Sequence, residues 1–413
     1  MLEGVFVKLF ILIFMIYSIF LGAVEAPWKV SPYISTSTGF DSNMLRTTVG
    51  ELQLLFLKLA PGITISNTNK EENSINFDGE VSYKYNLGLN SNDSLNDLIS
   101  RNSNWNADLG LDMSFFKRGH FSPFIADNLQ KTSYASYSDS INKFSNLLNI
   151  GFVTTPFGQA LKFKMEYFLN FNKTILTDSL SNNTRLASEA QDNIGHDFSL
   201  GVEWNFLPKT SLILSGTYGF LLHPNSGTFN SIDSTPIKGS FGLKGIVTPK
   251  LAVLLLGGWN YTSFDNGVSF NGFITTLEFS YKFSKKSGLK LGYNKNIRDV
   301  VFATYLSYHN LYFSVNSQIT NNIAFNLSTR ATLNMFSDFN LSGGSLNIVY
   351  PKTRTDILIS LSPGLSYSYK EYKFDLKYTL DKNITDFTTV INGDTTTYDY
   401  IKHQILLNAS IFF

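Results

Sequence analysis

A chain of 413 residues with no cysteine, a formal net charge of +1 and 15% aromatic residues, among them 36 Phe and 21 Tyr, leaves few classes open. Without cysteine it has no disulfides, no thiolate metal sites and no lipidated cysteine anchor. The balanced charge includes no basic block suited to nucleic acid and no acidic tail, and beyond Leu21 no long apolar run remains to build a helical membrane protein.

At the N-terminus, Lys8 stands beside the terminal amine with Glu3 opposing it, and Leu9 to Leu21 is nearly unbroken apolar sequence. That run is too short for a comfortable membrane-spanning helix and suits the apolar core of a signal peptide. Small residues follow at Gly22, Ala23 and Ala26, so cleavage is expected after Ala23 or Ala26, with Pro27 hindering the second. Residues 1–26 are read as a signal peptide, an uncleaved anchor being the alternative, and residues 27–413 as a single domain.

From there to the end the sequence alternates. Ile75, Phe77, Val81, Tyr83, Tyr85 and Leu87 oppose Asn76, Asp78, Glu80, Ser82 and Lys84. Trp105, Ala107, Leu109, Leu111 and Met113 oppose Asn106, Asp108 and Asp112, and Phe163, Met165, Tyr167 and Leu169 oppose Lys162, Lys164 and Glu166. The same pattern recurs at Phe198 to Phe206 against Asp197 and Glu203, at Phe325 to Leu333 against Arg330, and at Tyr372 to Leu380 against Lys373, Asp375 and Lys377. Period-two alternation over such lengths predicts strands. About 18 are expected, with 16 as the alternative, a number in the range of porins. Pro32 makes the first strand insecure, and Pro61-Gly62 predicts a kink or bulge in the second.

Tight connections (Lys117 to His120, Pro156 to Gly158, Leu207 to Lys209, Thr248 to Lys250, Ser284 to Gly288, Thr320 to Asn322, Lys370-Glu371) alternate with long polar ones at 89–103, 177–192, 222–235, 337–353 and 383–397. Short periplasmic turns and long extracellular loops are the mark of an up-and-down transmembrane antiparallel β-barrel. Two outer loops, near Asp265-Asn266-Gly267 and near Arg298-Asp299, are short. Aromatics beside the tight turns, including Phe115, Phe116, Phe121, Phe124, Phe157, Phe206, Phe283, Tyr369, Tyr372 and Phe413, are expected to form the periplasmic girdle.

No catalytic constellation is evident. The histidines 120, 196, 223, 309 and 403 have no metal-ligand spacing and read as isolated, and Gly257-Gly258 lacks the context of a phosphate loop. No enzyme activity, metal or cofactor is expected. The functional candidates are the charges expected to face the lumen: Asp78, Glu80, Lys84, Asp108, Asp112, Lys162, Lys164, Glu166, Asp197, Glu203, Glu278, Lys282, Lys290, Arg330, Lys373 and Lys377. Opposed charges of this kind either orient permeating solute or brace the wall through cross-strand pairs.

In the last strand Ile405, Leu407, Ala409, Ile411 and Phe413 share a face, with Leu406 and Phe412 as apolar intruders on the other. A terminal Phe after such alternation resembles the signal by which bacterial outer-membrane barrels are handed to the barrel-assembly machinery, with Phe413 and Ile411 in the signal positions. The segment Ser31-Pro32-Tyr33, continuing to Gly39-Phe40-Asp41-Ser42-Asn43-Met44-Leu45-Arg46-Thr47, and the hairpins at Thr248-Pro249-Lys250-Leu251 and Leu207 to Leu212, resemble a group of outer-membrane β-barrel porins. Some members of that group are linked to exopolysaccharide or capsule export. The resemblance covers nearly the whole mature chain through short structural motifs, and it implies a barrel without catalytic residues. The expectation is therefore a porin-like channel in the bacterial outer membrane for small solutes or saccharides, whose partners are outer-membrane lipid and the assembly machinery, with no nucleic acid. A plugged surface-display barrel and an exit channel for a secreted polysaccharide are the alternatives.

Overall fold

The computed structural model describes residues 28–44, 52–67, 73–90, 92–117, 119–134, 141–175, 192–224, 232–300, 303–337, 353–391, 394–397 and 399–413. The expected signal peptide, Leu45-Arg46-Thr47, most of the long connections 177–192 and 337–353 and half of 222–235 lie outside these residues.

Eighteen antiparallel strands form one closed sheet. In chain order they are β1 (Trp28–Asp41), β2 (Leu54–Asn67), β3 (Ser74–Gly88), β4 (Asn104–Ser114), β5 (Phe121–Tyr134), β6 (Ile141–Thr154), β7 (Leu161–Ile175), β8 (Asn193–Leu207) and β9 (Thr210–Leu222). They continue as β10 (Ser234–Thr248), β11 (Leu251–Phe264), β12 (Ser269–Lys282), β13 (Ser287–Val300), β14 (Ala303–Gln318), β15 (Ile323–Ser337), β16 (Arg354–Tyr369), β17 (Tyr372–Thr385) and β18 (Tyr400–Phe412). Each strand pairs with its chain neighbours, and β18 closes on β1 from Tyr33↔Phe412 to Asp41↔Gln404. The count of 18 thus stands over 16.

Followed round the sheet, the registers return to β1 displaced by about 22 residues, which for 18 strands gives a tilt of about 40° and a backbone radius of about 18 Å. Because this stagger is even, the two faces never exchange.

The outer face holds large exposed apolar side chains, among them Leu55, Leu57, Leu59, Val81, Tyr83, Met165, Phe198, Leu200, Leu214, Phe241, Phe273, Leu311, Leu376 and Leu407. An apolar belt on a closed ladder pairs most interior backbone groups while presenting hydrocarbon outward, the condition for spanning a membrane. The structure is therefore an outer-membrane-type transmembrane β-barrel.

The tight turns are built from local polar contacts. Thr248 Oγ1 accepts from the N–H groups of Lys250 and Leu251 at 3.3 and 3.0 Å. Thr320 Oγ1 does the same for Asn322 and Ile323 at 3.2 and 3.0 Å. At the opposite end, Asn266 Oδ1 accepts from Val268 N at 3.0 Å beside Gly267, whose φ of 81° an L side chain would resist.

Two sequence expectations need correction here. Strand β1 runs unbroken through Pro32, which sits at the end of the ladder with β18, where its carbonyl accepts Phe413 N at 2.9 Å. Strand β2 has neither an inserted residue nor a change of register at Pro61-Gly62. The ladder to β3 only skips Ala60 and Pro61 before resuming at Gly62↔Glu80, because proline has no N–H to give.

Most of the turn-end girdle is on the outer face or in the turns, with Phe121, Phe157, Phe206, Phe283, Tyr369, Tyr372 and Phe413 exposed. Phe124 is the exception. It lies on the lumenal face of β5, with the Lys164 ammonium 5.3 Å from its ring.

Met165 stands on the outer face within the apolar belt and Lys164 on the lumenal face. Met165→Arg should cost roughly 2–4 kcal/mol of folding stability in lipid vesicles. Lys164→Gln should change it little, as read by urea unfolding followed by tryptophan fluorescence.

Candidate functional site

The structure places every charged candidate named from the sequence on the lumenal face. They do not converge on one point but line the bore, several of them in ion pairs within one strand or between adjacent strands. Lys58 meets Glu80 at 2.7 Å, Lys164 meets Glu166 at 2.8 Å, Lys290 meets Glu278 at 3.1 Å and Lys373 meets Asp375 at 3.1 Å. Lys244 lies 3.6 Å from Glu203. Amides and hydroxyls extend the network. Asn128 and Gln130 donate to Asp108, Thr64 to Asp78, Asn149 to Glu166 and Tyr312 to Glu278. These partly exposed pairs contribute little stability each, so their main effect is on the field inside the bore.

That field is asymmetric. On β2 to β4, the acids Asp78, Glu80, Asp108 and Asp112 face only two lysines, Lys58 and Lys84. On the far wall, β12 to β15, the bases Lys282, Lys290, Arg298 and Arg330 accompany two acids, Glu278 and Asp299. Arg330 lines a cavity of about 410 Å³ with Tyr312, Ser328, Ser360, Ser362 and Asp381.

Two inward-folded elements narrow the loop end. The first is in the connection 89–103, expected as a plain loop, which carries a helix, α1 (Asp93–Arg101). Asn92 caps it by accepting from Ser94 N at 2.9 Å, and Asp97 pairs with Arg101 at 2.6 Å. Ile99 of α1 is fully buried against Leu52, Leu54 and Phe56, with Met44, Leu95 and Leu406 around them. Leu54, Phe56 and Leu406 occupy lumenal positions, so the apolar intruder of the last strand belongs to this cluster. Gly88 permits the close approach, since a Cβ there would strike Asn96. Asn90 and Asn96 then bond reciprocally at 2.9 and 2.8 Å.

The second element is the upper end of the β13–β14 hairpin. The β12–β13 ladder stops at Thr275↔Lys295, whereas β13–β14 pairing continues to Arg298↔Leu306 and beyond. Freed from the wall, the hairpin bends into the bore. Tyr305 stacks on Phe264 at 5.9 Å between centroids and meets Phe270 edge-on at 5.2 Å. Ser234 Oγ, at the loop end of β10, donates to Asp299 at 3.0 Å. Ala303 packs with the buried Phe387 against Val300 and Phe336. A cavity of about 290 Å³ remains between hairpin and wall, lined by Asn170, Asn172, Asp197, Lys238, Arg298 and Asp299 among others.

The seam between β18 and β1 has its own ion pair. Lys402 Nζ lies 2.6 Å from Asp41, with side chains only 10% and 6% exposed. Asp41 also accepts from Asn43 N at 3.0 Å.

Sequence reading missed this pair, the inward hairpin and the lysines 58, 238 and 244. The lysines lay within reach, since they fall on polar positions of alternating runs. Apolar residues at lumenal positions, such as Phe264, Phe270 and Phe336, were the available sign of the hairpin.

The histidines are not isolated. His196, His309 and His403 pair with tyrosines 167, 293 and 378 on the outer face, and His120 Nδ1 lies 2.9 Å from the Thr155 carbonyl. At the base of the loop after β9, His223 lies 3.7 Å from Asp233, and burial pushes its imidazole pKa down despite that carboxylate. Asp197 faces the bore while His196 faces out, as strand alternation requires.

No family model and no curated protein matches the chain. Among solved structures, Acinetobacter baumannii OccAB4 aligns at 10% identity over 94% of this chain and 99% of that one, with a TM-score of 0.47. Pseudomonas aeruginosa OpdK with vanillate aligns at 9% identity over 93% and 99%, also at 0.47. The siderophore receptor PirA of Pseudomonas aeruginosa aligns at 9% identity over 94% and 81%, at 0.46. Likeness at this level adds nothing to what the chain's own ladder establishes about its architecture.

Removing one member of the buried seam pair strands the other. Lys402→Met should cost about 3–5 kcal/mol, and adding Asp41→Asn should recover most of it, measured by urea unfolding in vesicles. Ile99→Ala should loosen α1 from the wall and make residues 89–103 protease-sensitive while the folded barrel keeps its heat-modifiable gel migration.

Proposed function

We propose that the chain is a porin-like channel of the outer membrane that passes small hydrophilic solutes, saccharides among them. The observation that supports this best is the contrast between the two faces of one closed wall. The outside is predominantly apolar across the belt, whereas the inside has charges of both signs, acids such as Glu80, Glu166 and Glu278 among lysines from Lys162 and Lys373 near the turns to Lys238 and Lys402 near the loops. A dry or structural core has no use for so many solvated charges. A bore with a net acidic wall facing a net basic one orients dipolar solutes and water across the path. Helix α1 and the β13–β14 hairpin reduce the mouth to a restricted entrance, which suits small solutes over large ones.

Reconstitution into planar bilayers tests this. The wild type should open in stepwise conductance levels. Arg330→Glu should shift ion selectivity toward cations, since that guanidinium makes no ion pair among the described residues. Silence at all voltages would favour a plugged display barrel and overturn the channel reading.

A further inference from the structure

One lumenal rung crosses the wall from β12 to β18. In it Glu278 pairs with Gly292, Gly292 with Tyr312 and Tyr312 with Arg330. Arg330 pairs in turn with Ser360, Ser360 with Asp381 and Asp381 with Lys402. Arg330 is the eighth of the fifteen residues of β15, so there the rung passes midway up the wall.

The two flanks of this rung are committed elsewhere. A Cβ built on Gly292 would strike the Tyr312 ring, so only glycine lets that ring lie over β13. From there the phenol donates to Glu278 at 2.8 Å and points away from Arg330. Glu278 also holds Lys290 at 3.1 Å. On the other flank Lys402 is held by Asp41 at 2.6 Å.

The middle of the rung is left open. Arg330 and Asp381 stand two strands apart, with Cα atoms about 10 Å from each other and Ser360 between them. Among the described residues neither makes an ion pair or a hydrogen bond, and the same holds for the hydroxyls of Ser314, Ser328 and Ser360. Ser314, Ser328 and Ser362 form the next row toward the turns, where Ser362 donates to Thr379 at 3.2 Å. These side chains bound the recess of about 410 Å³. That is the size of a small-molecule site, about 300–1,000 Å³.

The unengaged groups narrow the ligand. A guanidinium only donates, a carboxylate only accepts, and a hydroxyl does both. A simple anion would satisfy Arg330 alone, and a cation Asp381 alone. An α-amino acid carries both charges, but on one carbon, and would leave the serine floor and most of the volume unfilled. A sugar ring presents hydroxyls along all its edges. Some accept from Arg330 while others donate to Asp381, and the rest meet the serines. Leu358, on the same face one pair nearer the loops, offers an apolar contact to the C–H groups of such a ring.

We propose that this recess is a subsite for one neutral hexose unit, held between Arg330 and Asp381 over the serine floor. The subsite rests on the channel reading, of which it names one solute class. It stands open to the bore, so the sugar is held weakly enough to leave again, as passage requires.

The test uses the full barrel in phosphatidylcholine nanodiscs and saturation-transfer NMR, with maltose and glutamine titrated separately. Maltose should give a saturable signal at millimolar concentration. Arg330→Gln and Asp381→Asn should each weaken it roughly tenfold. Ser360→Phe fills the recess without altering a charge and should abolish it, whereas Tyr167→Phe, on the outer face, should leave it unchanged. Heat-modifiable gel migration shows that each variant is folded, and if a charge variant is not, Ser360→Phe decides. An absent maltose titration, a stronger saturable signal from glutamine, or an undiminished signal in Ser360→Phe would overturn the proposal. The signal is read without current, so a silent bilayer counts against the channel and an absent titration against the subsite, each separately.

Discussion

Closure of the hydrogen-bonded ladder is the constraint from which the rest of this molecule follows. In hydrocarbon an unpaired peptide N–H or C=O has no water to turn to, so each strand needs a neighbour on both sides. Here β18 supplies the last neighbour to β1, from Tyr33↔Phe412 to Asp41↔Gln404. Once the ring is closed with an even stagger, each residue's face is decided by its parity. The apolar exterior, the charged bore and the outward tyrosine–histidine pairs are all consequences of that single assignment.

The seam where closure occurs also has side-chain contacts of its own. Ser37 Oγ donates to Asn408 at 2.8 Å, and the buried Lys402–Asp41 pair lies above it on the lumenal side. A desolvated ion pair contributes less to net stability than to register, because a slip of two residues would leave both charges stranded. The exterior of the seam is apolar and the same slip would cost it little. The polar face therefore fixes the register that the apolar face leaves loose.

The wall was readable from the sequence because alternation is a local property. Lys162-Phe163-Lys164-Met165-Glu166 shows its two faces without reference to any other segment, and the tight turns announce themselves through Thr-Pro-Lys or Asn-Gly chemistry. What fills the bore was not readable in the same way. Helix α1 is nine residues long, polar on average and stabilised by Leu54 and Phe56 from another strand, and its local signs, the Asn92 cap, Leu95, Leu98 and Ile99 at helical spacing and the Asp97–Arg101 pair, are short enough to pass for a polar loop. The inward turn of β13–β14 depends on where a ladder stops, a fact about β12 and β13 together. The histidines looked isolated for a related reason, since each tyrosine partner lies 16 to 29 residues away in the chain and meets it only across a ladder.

The inward hairpin and helix rest on the lumenal wall through apolar contacts, whereas the wall itself is held by its ladder. The mouth can thus be remodelled by sequence change without any change in the barrel. The seam permits no such latitude. Because the first and last strands are mutual neighbours, a nascent or clipped chain lacking either one has two raw edges, each a row of free peptide groups ready to pair with another copy. Truncation within this barrel therefore does not yield a smaller pore but an open sheet prone to self-association, which gives the cell a physical reason to degrade incomplete chains before they reach the membrane.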